Sequence, residues 1–367
     1  MNKLTKFTLL TISAATLVAC GGGSGESTPE PPPPSTNSSF NLNEVQMVTS
    51  VPPAYAPNSV ERGALEESNR ARSECGLGMA TTDPRLDMAA DMHARYLTVQ
   101  KGNNSDAHFQ TNLTNPWYRG HSPVNRAEVA GYAHSSSVSE GLANYESIVI
   151  RGPWTELEVG AMSTRSLLAA PYHALDLLAP RMHMSVGASW STRLGLANEH
   201  PAADAGIEWG AIVNIFGTPV NAQGIQTVQS LPSNDVLTWP CNGTTGQAST
   251  RFPGESPSPL PGRNLGTNPA GAPFYFVSRL GSNLTIKSAR LSNAATGVEI
   301  PLMPVRHMRD ELHPGSKSLF SVTGLMDSAF VFPDAPLPVS SVLRMDFIAS
   351  VSGKDVSKSV TYRTGSQ

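Results

Sequence analysis

Apolar residues recur at helical spacing over the early part of the chain. Val60, Ala64, Leu65 and Ala71 suit a first helix that should stop near Gly76 or Gly78. The clearest helical signal follows. Asp83 is a good N-cap and Pro84 a good first helical residue, and Leu86, Ala89, Ala90, His93, Ala94 and Leu97 fall on one face before Lys101 and Gly102 close the run. His93 lies on that apolar stripe, so a hydrogen-bonded core histidine is expected there ahead of a ligand. A polar connection from Asn103 to Tyr132 carries His108, Trp117 and His121 and is too long for a simple turn. Short helical patterns come next, around Leu142 to Ile148, Leu157 to Leu168 and His173 to Leu178, punctuated by Pro153, Pro171 and Pro180. Met184 to Ser191 and Ile207 to Phe216 read as strands.

The last hundred or so residues change period. Leu343, Met345, Phe347, Ala349 and Val351 alternate with Arg344, Asp346, Ile348 and Ser350, as a strand with one buried face requires. Further strand candidates are Phe274 to Val277, Leu284 to Leu291, Phe320 to Val322, Ala329 to Phe332 and Val360 to Tyr362. Short strands without helices between them argue for a β-sandwich. His307 and His313 flank charged residues in what reads as a solvated turn.

Composition adds boundaries. Gly and Pro number 31 and 30 of 367 residues, enough to suggest substantial linker. Residues 219–271 are rich in Pro, Gly, Ser and Thr and read as a linker between the two rhythms. Residues 1–19 begin with Lys3 and Lys6, continue through an apolar run from Phe7 to Val18 and end in small residues, the pattern of an export signal too short to span a bilayer permanently. Residues 20–58 hold few large apolar side chains and include Pro31 to Pro34; they read as a tether with a reach on the order of 35 Å. A net charge of -3 gives no broad basic surface, so nucleic acid is not implied as a partner. Export permits disulfides, and with Cys20 set apart, Cys75 and Cys241 remain as a candidate bridge or as two separate thiols.

Leu17-Val18-Ala19-Cys20 resembles a lipobox, which implies cleavage before Cys20 and acylation of its thiol; Gly21 at the next position implies the outer membrane in a double-membraned bacterium. A second resemblance is carried by several blocks in order. These are Leu65-Glu66-Glu67-Ser68-Asn69-Arg70 with Gly76-Leu77, Leu86-Asp87-Met88-Ala89-Ala90-Asp91-Met92-His93-Ala94, Ala107-His108, Arg126-Ala127-Glu128-Val129-Ala130-Gly131-Tyr132, Ser139-Glu140-Gly141-Leu142-Ala143 and Ala170-Pro171-Tyr172-His173. Together they resemble the CAP superfamily (SCP/PR-1-like). The resemblance implies an α+β chain: a CAP-type α-β-α sandwich over residues 59–218, followed across the linker by an all-β sandwich over residues 272–367 similar to Ig-like domains appended to some bacterial CAP proteins.

The family's cleft holds two histidines and two acids, and the matching blocks bring across His108, Glu140 and His173. The second acid has no counterpart, since the helix before Pro171 reads Val159-Gly160-Ala161-Met162-Ser163; Glu156 or Glu158 could approach from that helix's start. Two neutral imidazoles and a carboxylate suit a divalent metal such as zinc, and the same trio suits acid–base chemistry or a water-filled polar cleft. His108, Glu140 and His173 are therefore the candidate catalytic groups and the candidate metal ligands alike. No His-Glu-x-x-His and no Gly-x-Ser-x-Gly is present, and Ser139 beside Glu140 reads as an ordinary loop serine. The leading expectation is a non-enzymatic envelope module, held to a membrane by lipid on Cys20, whose cleft binds a small-molecule, lipid or peptide ligand. A metal-assisted hydrolase and a structural or adhesive protein are the alternatives.

Overall fold

A computed structural model of the chain describes residues 41–101, 107–132, 138–146, 154–192, 195–197, 207–251, 255, 258–308 and 324–366. The export signal, Cys20, Pro31 to Pro34, Ile148, Pro153, the Phe320 to Val322 strand and His313 lie outside the described residues.

After a short strand β1 (Asn43–Val45), helix α1 (Val60–Glu74) begins where Ser59 Oγ accepts from the Arg62 amide, and it ends at Cys75. Gly76 then takes φ +77°, a left-handed turn that suits glycine. Helix α2 (Pro84–Gln100) is capped by Asp83, whose carboxylate accepts from the Arg85 amide, and closes on a left-handed Lys101. The long connection after it is not wholly irregular, because a Ser122/Asn125 capping box starts a short helix α3 (Pro123–Val129). Strand β2 (Ser139–Glu146), helices α4 (Glu156–Leu168) and α5 (Pro171–Leu178), and strands β3 (His183–Thr192), β4 (Gly195–Ala197) and β5 (Ile207–Gly217) complete this half. The helical pattern read around Leu142 is thus a strand. Eight residues of β2 pair antiparallel with β5, and tertiary pairing outweighs a weak local preference.

The sheet runs β2-β5-β3-β4, with β2 at an edge. The faces of β5 serve two cores. Ala211, Val213 and Ile215 pack with Leu86, Ala90, Ala94 and Leu97 of α2, whereas Ile212 and Phe216 pack with Val60 and Ala64 of α1, Leu167 of α4 and Leu175 of α5. Small residues let α2 lie close on its side: a Cβ at Gly187 of β3 would meet the Asp91 amide at 2.3 Å. On the other side α1 and α4 touch at Gly63 and Gly160, where added Cβ atoms would fall 2.0 Å from the carbonyls of Leu157 and Val60. Arg72, buried on α1, donates to the carbonyls of Gly78, Leu177 and Ala179 and ties α1 to the end of α5.

Downstream lie β6 (Thr227–Gln229), which pairs in parallel with β1, β7 (Leu237–Trp239), β8 (Phe274–Arg279), β9 (Thr285–Asn293), β10 (Glu299–Ile300), β11 (Arg306–His307), β12 (Met326–Val331), β13 (Val342–Val351) and β14 (Lys354–Arg363). Strands β7 to β14 form two four-stranded sheets, β10-β9-β13-β14 and β11-β12-β8-β7. The alternation read in Leu343 to Val351 is the burial pattern of β13. The fold is α+β, with mixed helix and sheet.

Residues 219–271 depart from the expectation of a linker. Val228, Leu231, Val236, Trp239, Cys241, Leu260 and Ala270 are buried, and a disulfide joins Cys241 to Cys75 at the end of α1. The reason lies in β8 and β12, which are buried on both faces. Phe274, Phe276, Ala329 and Val331 face the other β-sheet, while Tyr275, Val277, Met326 and Phe330 share a core with α1, α4 and α5. Prolines and glycines shape this stretch without freeing it from the core. His307, read in a turn, lies in β11 and accepts from the Ile286 amide through Nε2.

The glycine contact between α1 and α4 yields a direct test. Gly160→Val puts side-chain atoms where the Val60 carbonyl sits, so thermal or urea unfolding should show a loss at or above the ~1–3 kcal/mol typical of an overpacked core. An unchanged midpoint would contradict the close approach.

Candidate functional site

The site lies at the open edge of the first sheet. Glu140 sits on edge strand β2 opposite Ile215, on the α2 side, and its carboxylate is wholly buried. A buried carboxylate needs a counter-charge, and Arg126 of α3, equally buried, donates from Nη2 to Glu140 Oε2 at 2.5 Å. Its Nη1 donates to the carbonyl of His108 at 3.2 Å, so one guanidinium fixes both the acid and the loop bearing the histidine. His108 Nδ1 in turn donates to Glu140 Oε1 at 3.2 Å.

His93 lies beneath this pair, fully buried. Its Nε2 donates to the Ala107 carbonyl at 2.9 Å and stands 3.4 Å from Glu140 Oε1, while Nδ1 accepts from Gln110 Nε2 at 3.0 Å. The Gln110 amide is oriented by its other end, where Oε1 accepts from the Arg119 amide. His93 is therefore neutral and protonated on Nε2. Burial lowers its pKa from the ordinary histidine value, against the pull of Glu140. For Glu140, burial acts to raise the pKa, but the Arg126 charge and then the histidines override it and hold the carboxyl well below the usual range. The loop between is pinned to α2, because Tyr96 Oη accepts from the amides of Thr111 and Asn112.

His173 reaches the same edge from the opposite face. It lies in the first turn of α5, and a Cβ on Gly141, the neighbour of Glu140, would touch its Cδ2 at 3.5 Å. The rings of His108 and His173 stack with centroids 5.8 Å apart and planes inclined by 27°. Both reach solvent, with side chains 33% and 14% exposed. The three residues singled out in the sequence are thus brought together.

A second carboxylate completes the group, and it is not Glu158, which is spent in the capping box of α4 with Thr155. Glu255, buried, places Oε1 3.4 Å from His173 Nδ1 and accepts at Oε2 from the buried Arg251 at 2.9 Å. The result is two parallel chains, Arg126–Glu140–His108 and Arg251–Glu255–His173. Sequence reasoning missed Arg126, whose block was matched without a role, and the Arg251/Glu255 pair. The available signal for that pair was an i,i+4 pair of opposite charges inside a run otherwise poor in charge.

With Nδ1 of His108 bonded to Glu140 and Nδ1 of His173 3.4 Å from Glu255, Nε2 is the nitrogen through which each would bind a metal, with a carboxylate behind each ring. Glu140 does not fit as a direct ligand: Arg126 and the two histidines occupy both its oxygens. Among the described residues, no group of three or more His, Cys, Asp or Glu side chains is arranged to hold a metal ion. Ser139 donates to Asp176, whose carboxylate is paired with Arg181. A groove of about 340 Å³ lies elsewhere, between residues 50–55 and α1, lined by Pro52, Pro53, Tyr55, Leu65 and Met79 among others.

No family model matches the chain, and no curated protein matches it. Among solved structures, one titled BspA_C_WT is 7% identical, with a TM-score of 0.13 over 62% of this chain and 93% of that one, a likeness too slight to carry an argument.

The two pKa directions set the sign of acid sensitivity. A folded pKa below the unfolded one means that the unfolded chain binds more protons, so stability falls as pH drops below the unfolded value. His93 should therefore weaken the fold below the ordinary histidine range, and Glu140 should add a second loss below the ordinary carboxylate range. Urea midpoints measured from neutral to acid pH should show both declines, and Glu140→Gln should abolish only the lower one. Arg126→Met should cost about 3–5 kcal/mol at neutral pH by stranding the Glu140 charge.

Proposed function

We propose that this chain is a CAP-type lipoprotein of the cell envelope, tethered by lipid on Cys20, whose first half binds a ligand at His108 and His173 without chemical turnover. One observation supports the site above all others: two solvent-reaching imidazoles lie side by side, with Nδ1 of His108 3.2 Å and Nδ1 of His173 3.4 Å from a buried, arginine-paired carboxylate. Side chains so fixed lose little freedom on binding, which favours recognition. The family reading draws on the ordered sequence blocks from Leu65 to His173 and on helices packed against both faces of an antiparallel sheet. The paired β-sheets that follow support an Ig-like reading of the second half.

A divalent cation such as zinc would be held through Nε2 of His108 and of His173, with Glu140 and Glu255 as the carboxylates behind them and the ligand or water filling its other positions. A bound cation would supply a positive centre for an anionic or carbonyl-bearing ligand. The chain's own part is to hold the two rings in register and keep Arg126 and Arg251 against the acids. The hydrolase alternative gains nothing from Ser139, which is engaged with Asp176.

Metal analysis and calorimetry on the purified protein test the cation. The wild type should take up zinc, and His108→Ala with His173→Ala should take up none; equal and negligible uptake by both ends the metal reading. Anchoring is tested separately: Cys20→Ser should move the protein from the membrane fraction to the soluble one and remove the acyl mass from its N-terminal peptide. An unaltered distribution would reject lipidation at that residue.

A further inference from the structure

Helix α5 begins without a cap of its own. Ala170 stands at the N-cap position with no side-chain hydrogen bond to offer, and Pro171 has no N–H. The next two amides, of Tyr172 and His173, both donate to Glu255 Oε1, at 2.7 and 3.3 Å. A residue more than eighty positions along the chain thus does what a capping serine or aspartate does locally. The same oxygen lies 3.4 Å from His173 Nδ1, which is buried and among the described residues has no hydrogen-bond partner of ordinary geometry. Glu255 is thus an acceptor within reach of that orphan nitrogen. Arg251 fixes the carboxylate from behind, itself buried, with Nη2 on Glu255 Oε2.

We propose that Glu255 is the positioning residue of His173: it sets the backbone of the first turn of α5, holds the proton on Nδ1 and so turns Nε2 toward the ligand, which makes residues beyond 218 part of the binding site. This rests on the reading of His173 as part of the ligand site. On the first arm β2 supplies the acid and α3 the arginine, both from within the helix–sheet half. On the second arm acid and arginine alike come from residues 219–271, so the site closes only when that stretch is docked.

Long-range ¹H–¹⁵N spectra of the histidine rings of the metal-free full chain, at a pH well above the ordinary histidine value, report the tautomers. In the wild type His173 should carry its proton on Nδ1. In Glu255→Ala it should shift toward the Nε2–H form, while the His108 signals, held by an intact Glu140, stay in place. A role confined to capping predicts lower stability with an unchanged His173 tautomer, and that result overturns the proposal. Should the alanine variant fail to fold, Glu255→Gln keeps an oxygen for the two amides but loses the charge against Arg251; a His173 signal identical to wild type there likewise overturns it. Zinc affinity should fall about 10–100-fold in Glu255→Ala. A wild type that binds no zinc would remove the cation from the functional reading, whereas the tautomer measurement would still decide the role of Glu255.

Discussion

The buried charge of Glu140 constrains everything around it. A carboxylate fully withdrawn from water is costly unless paired and hydrogen-bonded, and here the pairing recruits Arg126 from α3, His108 from the loop and His93 from α2. Each partner in turn fixes a backbone segment. Arg126 holds the His108 carbonyl, and His93 holds Gln110 and the Ala107 carbonyl, so the long connection after α2 has little freedom at the site. Around His108 that constraint comes from the electrostatics of one edge-strand residue, while Tyr96 holds Thr111 and Asn112 farther along.

Edge placement explains how groups from two faces meet. Consecutive residues of a strand point to opposite sides, so Glu140 and Gly141 address different helix layers. At the edge strand β2 His108 from one layer stacks on His173 from the other, and the missing side chain at Gly141 leaves room for the second ring. Water reaches the rings at this margin but not the carboxylates beneath.

Much of this was legible in the sequence because it is local. Asp83-Pro84 and the spacing of Leu86 to Leu97 specify α2, and the alternation of Leu343 to Val351 specifies β13, since each pattern states which face is buried. His108, Glu140 and His173 could be picked out by matched blocks, and the geometry joins them. Residues around Leu142 were misread because an edge strand is fixed by its partner β5 more than by its own composition. Glu255 was invisible for a related reason: its partners Tyr172 and His173 are remote in the chain.

The sheet containing β8 and β12 has oily residues on both sides, Phe274 and Phe276 toward one neighbour and Tyr275 and Val277 toward the other. Modules strung on linkers can be shuffled between genes because each carries a finished surface. This pair is different. Transplanting either half onto another chain would present a bare aromatic wall to water and invite aggregation. The two halves therefore depend on one shared core, and a change at their junction is felt on both sides.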